Sequence, residues 1–392
     1  MANDCPAQSG SEGRRELLRL LGGALVTFLL WRGSLYLFDL IGLSLIPNLG
    51  KCRDNWQVFG QAHPFWNGFF RWDSGWYLAI AERGYSFHPD STSSVAFYPL
   101  LPYLSRYLGR IFGGTPIAAL VIANVAAVGA IFYLRRLGSL LFGPVVGQRS
   151  VLLLLVFPTS LFLSAFYTES LFTCLAAASM FHYFRRSYLL CGALGFLAGL
   201  TRATGLVLFA ALALDLCWRL YRREEQVHWR MLGLALIPLG LGAFMWILQY
   251  QVGDPLAFSK TQAHWNRHAS WPWQPLLDAF AGTDYTFQPN FSRTQRFIDA
   301  AHALAFLIVA GIMAFTRERL ALWAFVLLGV LLPLTTYNLG SMNRYMLGLF
   351  PAFFAFAKWL EGHAELERWL FFSFAFFLAI YSLRFMQCGW AG

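Results

Sequence analysis

Residues able to do group-transfer chemistry are few in this chain, and their settings are unusual. Asp73 lies in Phe70-Arg71-Trp72-Asp73-Ser74-Gly75-Trp76-Tyr77, a carboxylate between aromatic rings just after the first membrane-length apolar run. A carboxylate held there within reach of water can take a proton from an acceptor hydroxyl, which is the work of a general base. Asp is equally a common helix N-cap, and Arg71 is near enough in sequence to pair with it. Glu169, in Phe166-Tyr167-Thr168-Glu169-Ser170, stands where two apolar runs meet. It either walls a polar cavity, as ionisable groups at membrane depth often do, or caps a helix whose dipole favours an acid in its first turn. Arg202, in Leu200-Thr201-Arg202-Ala203-Thr204-Gly205, and Arg344, in Ser341-Met342-Asn343-Arg344-Tyr345, stand at the ends of apolar runs. A phosphate at the lipid interface would suit both, because guanidinium binds it as a bidentate fork; snorkelling to headgroups would also satisfy them. Glu82, Arg83, Tyr85 and His88 share a loop with Asp73. His88 is an acid, a ligand or a surface residue, and with Glu82 and Asp90 it makes no metal-ligand pattern.

These residues need a scaffold, and composition names its class. The chain has 392 residues, of which 57% are hydrophobic, 18% aromatic and only 13% charged. With a mean hydropathy of +0.50 it is an all-α polytopic membrane protein, not a soluble domain. Lys51, Lys260 and Lys358 are its only lysines, so arginine supplies nearly all of the net charge of +10. In a membrane protein such an excess signals topology and attraction to lipid surfaces; no basic and aromatic groove argues for nucleic acid. Cys5, Cys52, Cys174, Cys191, Cys217 and Cys388 include no C-x-x-C pair, so neither a zinc site nor a disulfide framework is indicated. The first apolar run is too long for a removable signal and is read as a retained span.

Apolar runs near 17–40, 116–134, 150–166, 168–184, 188–201, 203–220, 231–250, 297–315, 319–336, 344–360 and 369–387 are candidate spans. The segment 95–113 holds Pro99, Pro102, Arg106 and Arg110, and charge bias decides its place. If it crossed, Arg135, Arg136 and Arg149 would fall outside and every later loop would invert. If it lies on the surface as an interfacial helix, Arg185/Arg186, Arg222/Arg223/Arg230, Arg317/Arg319 and Arg368 fall inside as well. The second arrangement gives about eleven spans in one domain, 1–392, with the N-terminus inside. It puts two long loops, 41–115 and 251–296, on the outer face, where function belongs because irregular backbone is tolerated there. Arg202 and Arg344 then break the positive-inside pattern. The second loop carries Trp265, Trp271, Trp273, Tyr285 and Phe287 with Asp254, Asp278 and Asp284, and reads as an aromatic belt plus a lid. A transporter would spread ionisable groups through the midplane and show repeats; here they gather at one face.

The ordered motifs resemble a known family. Phe70 to Tyr77 with Ala81-Glu82-Arg83-Gly84-Tyr85, then Ala96-Phe97-Tyr98-Pro99-Leu100-Leu101-Pro102, then Phe157-Pro158-Thr159-Ser160 running into Tyr167-Thr168-Glu169-Ser170-Leu171-Phe172, then Thr201-Arg202-Ala203-Thr204-Gly205-Leu206-Val207, are similar to the PIG-V mannosyltransferases, with a weaker echo at Arg344-Tyr345 and Phe350-Pro351. The resemblance implies a GT-C bundle whose long first outer loop carries interfacial helices. It implies inverting transfer of mannose from a polyprenyl-phosphate-mannose donor to a hydroxyl of a lipid or glycan acceptor, without metal or other cofactor. Asp73 matches the acidic base of the first outer loop. Arg202 and Arg344 would hold the donor phosphate, and Arg71, Trp72, Trp76, Glu82, His88, Glu169 and Tyr345 would line the substrate cavity. The segment 95–113 would guide the prenyl tail. The arginine bias points to a GC-rich bacterial genome and thus the plasma membrane; a eukaryotic chain would sit in the endoplasmic reticulum. A prokaryotic host would need an acceptor other than glycosylphosphatidylinositol, and eukaryotic relatives leave room for an accessory subunit. These residues do not separate mannose from another polyprenyl-linked sugar.

Overall fold

The computed structural model describes residues 10–46, 57–60, 62–282 and 293–391. Cys5, Lys51, Cys52, Asp284, Tyr285 and Phe287 lie outside them. Among the described residues there is helix and no strand. The chain runs through α1 (Gly10–Leu45), short α2 (Pro64–Asn67), α3 (Asp73–Arg83), α4 (Leu100–Phe112), α5 (Thr115–Phe142), α6 (Pro144–Val156), α7 (Glu169–Phe184), α8 (Tyr188–Gly199) and α9 (Thr204–Tyr221). It continues with α10 (Leu236–Val252), short α11 (Ala257–Lys260), α12 (Gln274–Ala281), α13 (Arg293–Phe315), α14 (Leu320–Leu334), α15 (Met342–Leu347), α16 (Pro351–Trp359) and α17 (Ala364–Met386).

Every apolar run coincides with a helix or a helix pair, but among the described residues six helices are long and apolar enough to cross a membrane: Arg14–Leu45, Thr115–Phe142, Thr204–Tyr221, Trp229–Val252, Arg293–Phe315 and Ala364–Met386. Helices α6, α8 and α14 are apolar but shorter. At 13 residues α6 rises about 20 Å, short of a hydrocarbon core of about 30 Å. The run 150–166 is therefore not one helix. The residue before Pro158 is pushed out of the helical region, and the chain continues through a 3-10 turn at Ser160–Leu163 whose residues are all buried. Such backbone is tolerated at depth where protein surrounds it, as it does these buried residues.

Helix α5 packs against α4, α6 and α7, α8 against α7 and α10, α9 against α14, and α1 against α17. The arginines read as internal collect at one end of this bundle. Arg149 Nε donates to Glu367 Oε1 at 2.6 Å, Arg186 pairs with Glu225 at 3.3 Å, and Arg319 lies over Phe184. The described parts of the two long loops meet each other at the other end. Helix α4 within the first of them exposes Arg106, Arg110, Tyr107 and Ile111 on one side and buries Leu101, Ser105 and Gly109 on the other. Cys174, Cys191 and Cys217 are free thiols, whereas Cys388 is disulfide-bonded. This corrects the expectation of no disulfide: Cys388 lies past the apolar part of α17, at the loop end of the bundle, and not within an apolar run.

Glycine sets the spacing near one motif. A Cβ on Gly205 would sit 2.4 Å from the Gly199 Cα and 2.7 Å from its nitrogen, so α9 and α8 touch by backbone there. Gly205→Ala should push these helices apart, cost about 1–3 kcal/mol and shift Arg202 in the connecting turn. A lowered melting temperature in detergent with slower turnover is the expected reading; an unchanged melting temperature would contradict the packing.

Candidate active site

Helix α3 starts after a strained turn. Trp72, at its N-cap, has φ 55° and ψ −112°, a conformation that costs about 1–3 kcal/mol in a non-glycine residue and must be imposed by its neighbours. The end of the chain imposes it. Trp72 stacks edge-on against Trp390 at 5.1 Å, its Nε1 donates to the Gly389 carbonyl at 3.4 Å, and Arg71 Nη2 donates to the Met386 carbonyl at 3.2 Å. Asp73 therefore enters the helix as its first residue, with Trp72 rather than Asp73 as the cap. Its backbone N–H donates to the Tyr167 hydroxyl at 3.2 Å, which in turn donates to the Arg71 carbonyl at 2.9 Å.

The Asp73 side chain faces a cavity of about 630 Å³ between the long loops and the ends of α7, α9, α14 and α15. Its partner is not Arg71. Arg344 Nη1, on α15, donates to Asp73 Oδ2 at 2.8 Å, and Arg344 Nε lies 3.4 Å from Glu169 Oε1. Arg202 Nη1, in the turn between α8 and α9, donates to the same Glu169 oxygen at 2.5 Å. Glu169 opens α7, where the helix dipole favours an acid, so its capping position and its place on the cavity wall are compatible. Residues separated by 271 positions in sequence thus form one chain of charge, Asp73–Arg344–Glu169–Arg202.

Backbone contacts hold Arg344 in place. Buried Asp299 of α13 accepts the Asn343 N–H at 3.0 Å, Asn343 Oδ1 accepts the Arg344 N–H at 2.7 Å, and Thr159 Oγ1 donates to the Asn343 carbonyl at 3.1 Å. The guanidinium also lies 5.0 Å from the Tyr167 ring and 5.3 Å from that of Phe162. The Phe157-Pro158-Thr159-Ser160 motif is in this way a bracket for Arg344. The two carboxylates differ in access. Only 1% of the Glu169 side chain is exposed against 16% for Asp73, so Asp73 is the one that an incoming hydroxyl can reach. Tyr77, one turn along α3, stays a neutral phenol because burial, with Asp73 and Glu169 nearby, pushes it far above its ordinary range.

Of the residues expected to line the cavity, Trp72, Trp76, Glu169 and Tyr345 do so, as do Asp73, Arg202 and Arg344. Arg71, Glu82 and His88 do not. Arg71 is turned behind the wall toward the end of α17, where a cation meets free helix carbonyls. Glu82 is nine residues along α3 from Asp73, which at about 100° per residue puts it on the opposite, exposed face. His88 is exposed in a turn closed by its backbone N–H on Ser93 Oγ at 2.9 Å.

The second loop contributes more than a belt. Trp271 and Trp273 stack at 5.1 Å and are exposed, as belt residues would be. Trp265 instead lies in the cavity, edge-on to Trp76 at 5.9 Å and to Phe97 at 5.8 Å, while Trp76 and Phe97 stack at 5.7 Å. Asn266 next to it adopts the left-handed conformation, φ 54° and ψ 37°, which Asn tolerates, and the turn brings Arg267 to the cavity as well. Two bonds tie the loop down: Asn338 Nδ2 donates to the Trp265 carbonyl at 2.8 Å, and His264 Nε2 meets the Pro89 carbonyl of the first loop at 2.6 Å. Sequence reasoning missed Arg267, since a lone arginine in an exposed loop breaks no rule. Among the described residues no three His, Cys, Asp or Glu side chains gather as a metal site.

Residues 57–248 match the model of the family described as mannosyltransferase (PIG-V). No curated protein matches the chain. Among solved structures, ArnT from Cupriavidus metallidurans bound to undecaprenyl phosphate is similar at a TM-score of 0.49 and 14% identity, over 91% of this chain and 72% of that one. The oligosaccharyltransferase AglB from Archaeoglobus fulgidus, in complex with an inhibitory peptide and a dolichol-phosphate, is similar at 0.41 and 16% identity, over 92% of this chain. The chain spans 56% of the length of AglB.

Proposed function

With residues 57–248 belonging to the mannosyltransferase (PIG-V) family, we propose that this membrane glycosyltransferase moves mannose from a polyprenyl-phosphate-mannose donor to a hydroxyl of a lipid or glycan acceptor. The observation that carries the reading is Arg344, which joins the accessible carboxylate of Asp73 to buried Glu169 and Arg202 on one cavity wall. A base and phosphate-binding cations are the groups that such a transfer needs. The acceptor oxygen attacks the sugar C1 from the face opposite the phosphate and its proton passes to Asp73. The C1–O bond breaks with its electron pair going to the polyprenyl phosphate, and the anomeric configuration inverts. Arg202 and Arg344 offset the charge that grows on the departing phosphate. Trp76, Phe97 and Trp265 offer apolar ring faces to a sugar, and the second loop excludes water over it.

Purified protein in lipid nanodiscs, given radiolabelled polyprenyl-phosphate-mannose and a membrane extract as acceptor, should release polyprenyl phosphate and label an acceptor with an inverted linkage. Nucleotide-linked mannose should not be used. Transfer from the nucleotide sugar alone, or movement of the lipid donor across the bilayer with no labelled product, would sink the proposal.

A further inference from the structure

The cavity's charges do not balance. Among the described residues that line it are two carboxylates, Asp73 and Glu169, and three guanidinium groups, Arg202, Arg267 and Arg344. Arg344 is engaged with both carboxylates and Arg202 with Glu169. Arg267 is not engaged with either. Its Nη2 donates to the Tyr345 hydroxyl at 2.8 Å and its guanidinium lies 5.8 Å from that ring. The same ring has the Arg202 guanidinium at 5.2 Å and that of Arg344 at 5.5 Å. Tyr345 is therefore a hub that draws three cations together around one phenol ring. Arginine does not shed its charge in a protein, so this group is one anion short. A guanidinium has five N–H donors, and Tyr345 takes only one of those on Arg267.

We propose that Arg267, oriented by the Tyr345 hydroxyl, is a contact for the donor phosphate and the first to engage it. The inference rests on the transferase reading above. A sugar-phosphate-polyprenol diester carries one negative charge, which matches the excess. Arg202 and Arg344 already spend their charge on carboxylates, whereas Arg267 is committed to no ion pair. Once the phosphate has arrived, Arg344 can turn toward it and leave Asp73 free to accept a proton, so donor binding precedes acceptor activation.

The test is binding of unlabelled polyprenyl phosphate to the 392-residue chain in nanodiscs, alongside steady-state transfer kinetics. Arg267→Gln should weaken binding about 10- to 100-fold, and raise the donor KM with little change in the acceptor KM. Arg267→Lys should recover part of the binding, because charge returns without the fork, and Tyr345→Phe should lose about 3- to 10-fold through misorientation. Arg267→Gln protein that melts as wild type and binds polyprenyl phosphate as tightly overturns the assignment. If Arg344→Gln loses binding in that same experiment, the transferase reading stands and only the role of Arg267 falls. A wild-type chain that binds no polyprenyl phosphate overturns both.

Discussion

Asp73→Asn should slow sugar transfer by about a thousandfold while leaving polyprenyl phosphate binding within a few-fold of wild type. The substitution keeps the shape of the side chain, and an amide oxygen can still accept the 2.8 Å hydrogen bond from Arg344. What it removes is the capacity to take a proton. Glu169 does not substitute, because only 1% of its side chain is exposed and its Oε1 is already held by Arg202 at 2.5 Å and approached by Arg344 at 3.4 Å. Transfer in a single turnover from a radiolabelled lipid donor separates chemistry from product release. A rate within about fivefold of wild type would remove Asp73 as the base, and a matching loss of phosphate binding would make it a positioning residue instead.

The legible part of this site was the part that broke a pattern. Arg202 and Arg344 stood out because cations at those helix ends violate the charge bias that sorts the other arginines, and both line the cavity. Asp73 stood out through its aromatic frame. Its partner did not: the sequence offers Arg71 two positions away, and only the turn at Trp72, with φ 55°, sends Arg71 behind the wall and brings in Arg344 from 271 residues away. Long-range pairing of this kind leaves no local trace. Glu82 was misjudged for a different reason. It shares a motif with Asp73, but a helix beginning at Asp73 turns it to the far face, and that follows only once the helix start is known. Eleven apolar runs were readable as helices, whereas the shortness of α6 was not, since the buried 3-10 turn that follows it is as apolar as the helix. Trp265 and Arg267 lie in a loop with no period to read, and its aromatic excess hid a cavity residue among exposed belt residues.

Arg344→Gln should abolish measurable transfer and also destabilise the chain by about 3 kcal/mol, because it removes the cation that Asp73 and Glu169 share. Both effects follow from a single geometry, which is why the single variant does not tell chemistry from folding. A second substitution does. In Arg344→Gln/Glu169→Gln one of the two acids is neutralised, so the melting temperature should rise part of the way back, short of wild type because Arg202 loses its carboxylate partner. Transfer should stay absent, since phosphate is still offered one guanidinium fewer and Asp73 keeps no partner that orients it. Arg344→Lys should behave differently again: it retains the charge and much of the stability, but a point charge on a flexible stem cannot bridge Asp73 and Glu169, and activity should remain at least about tenfold low. Recovery of transfer together with stability in the double variant would mean that Arg344 serves only to neutralise its neighbours. The donor phosphate would then have to be gripped by Arg202 and Arg267 alone. That outcome would show as unchanged polyprenyl phosphate binding in Arg344→Lys and in the double variant alike.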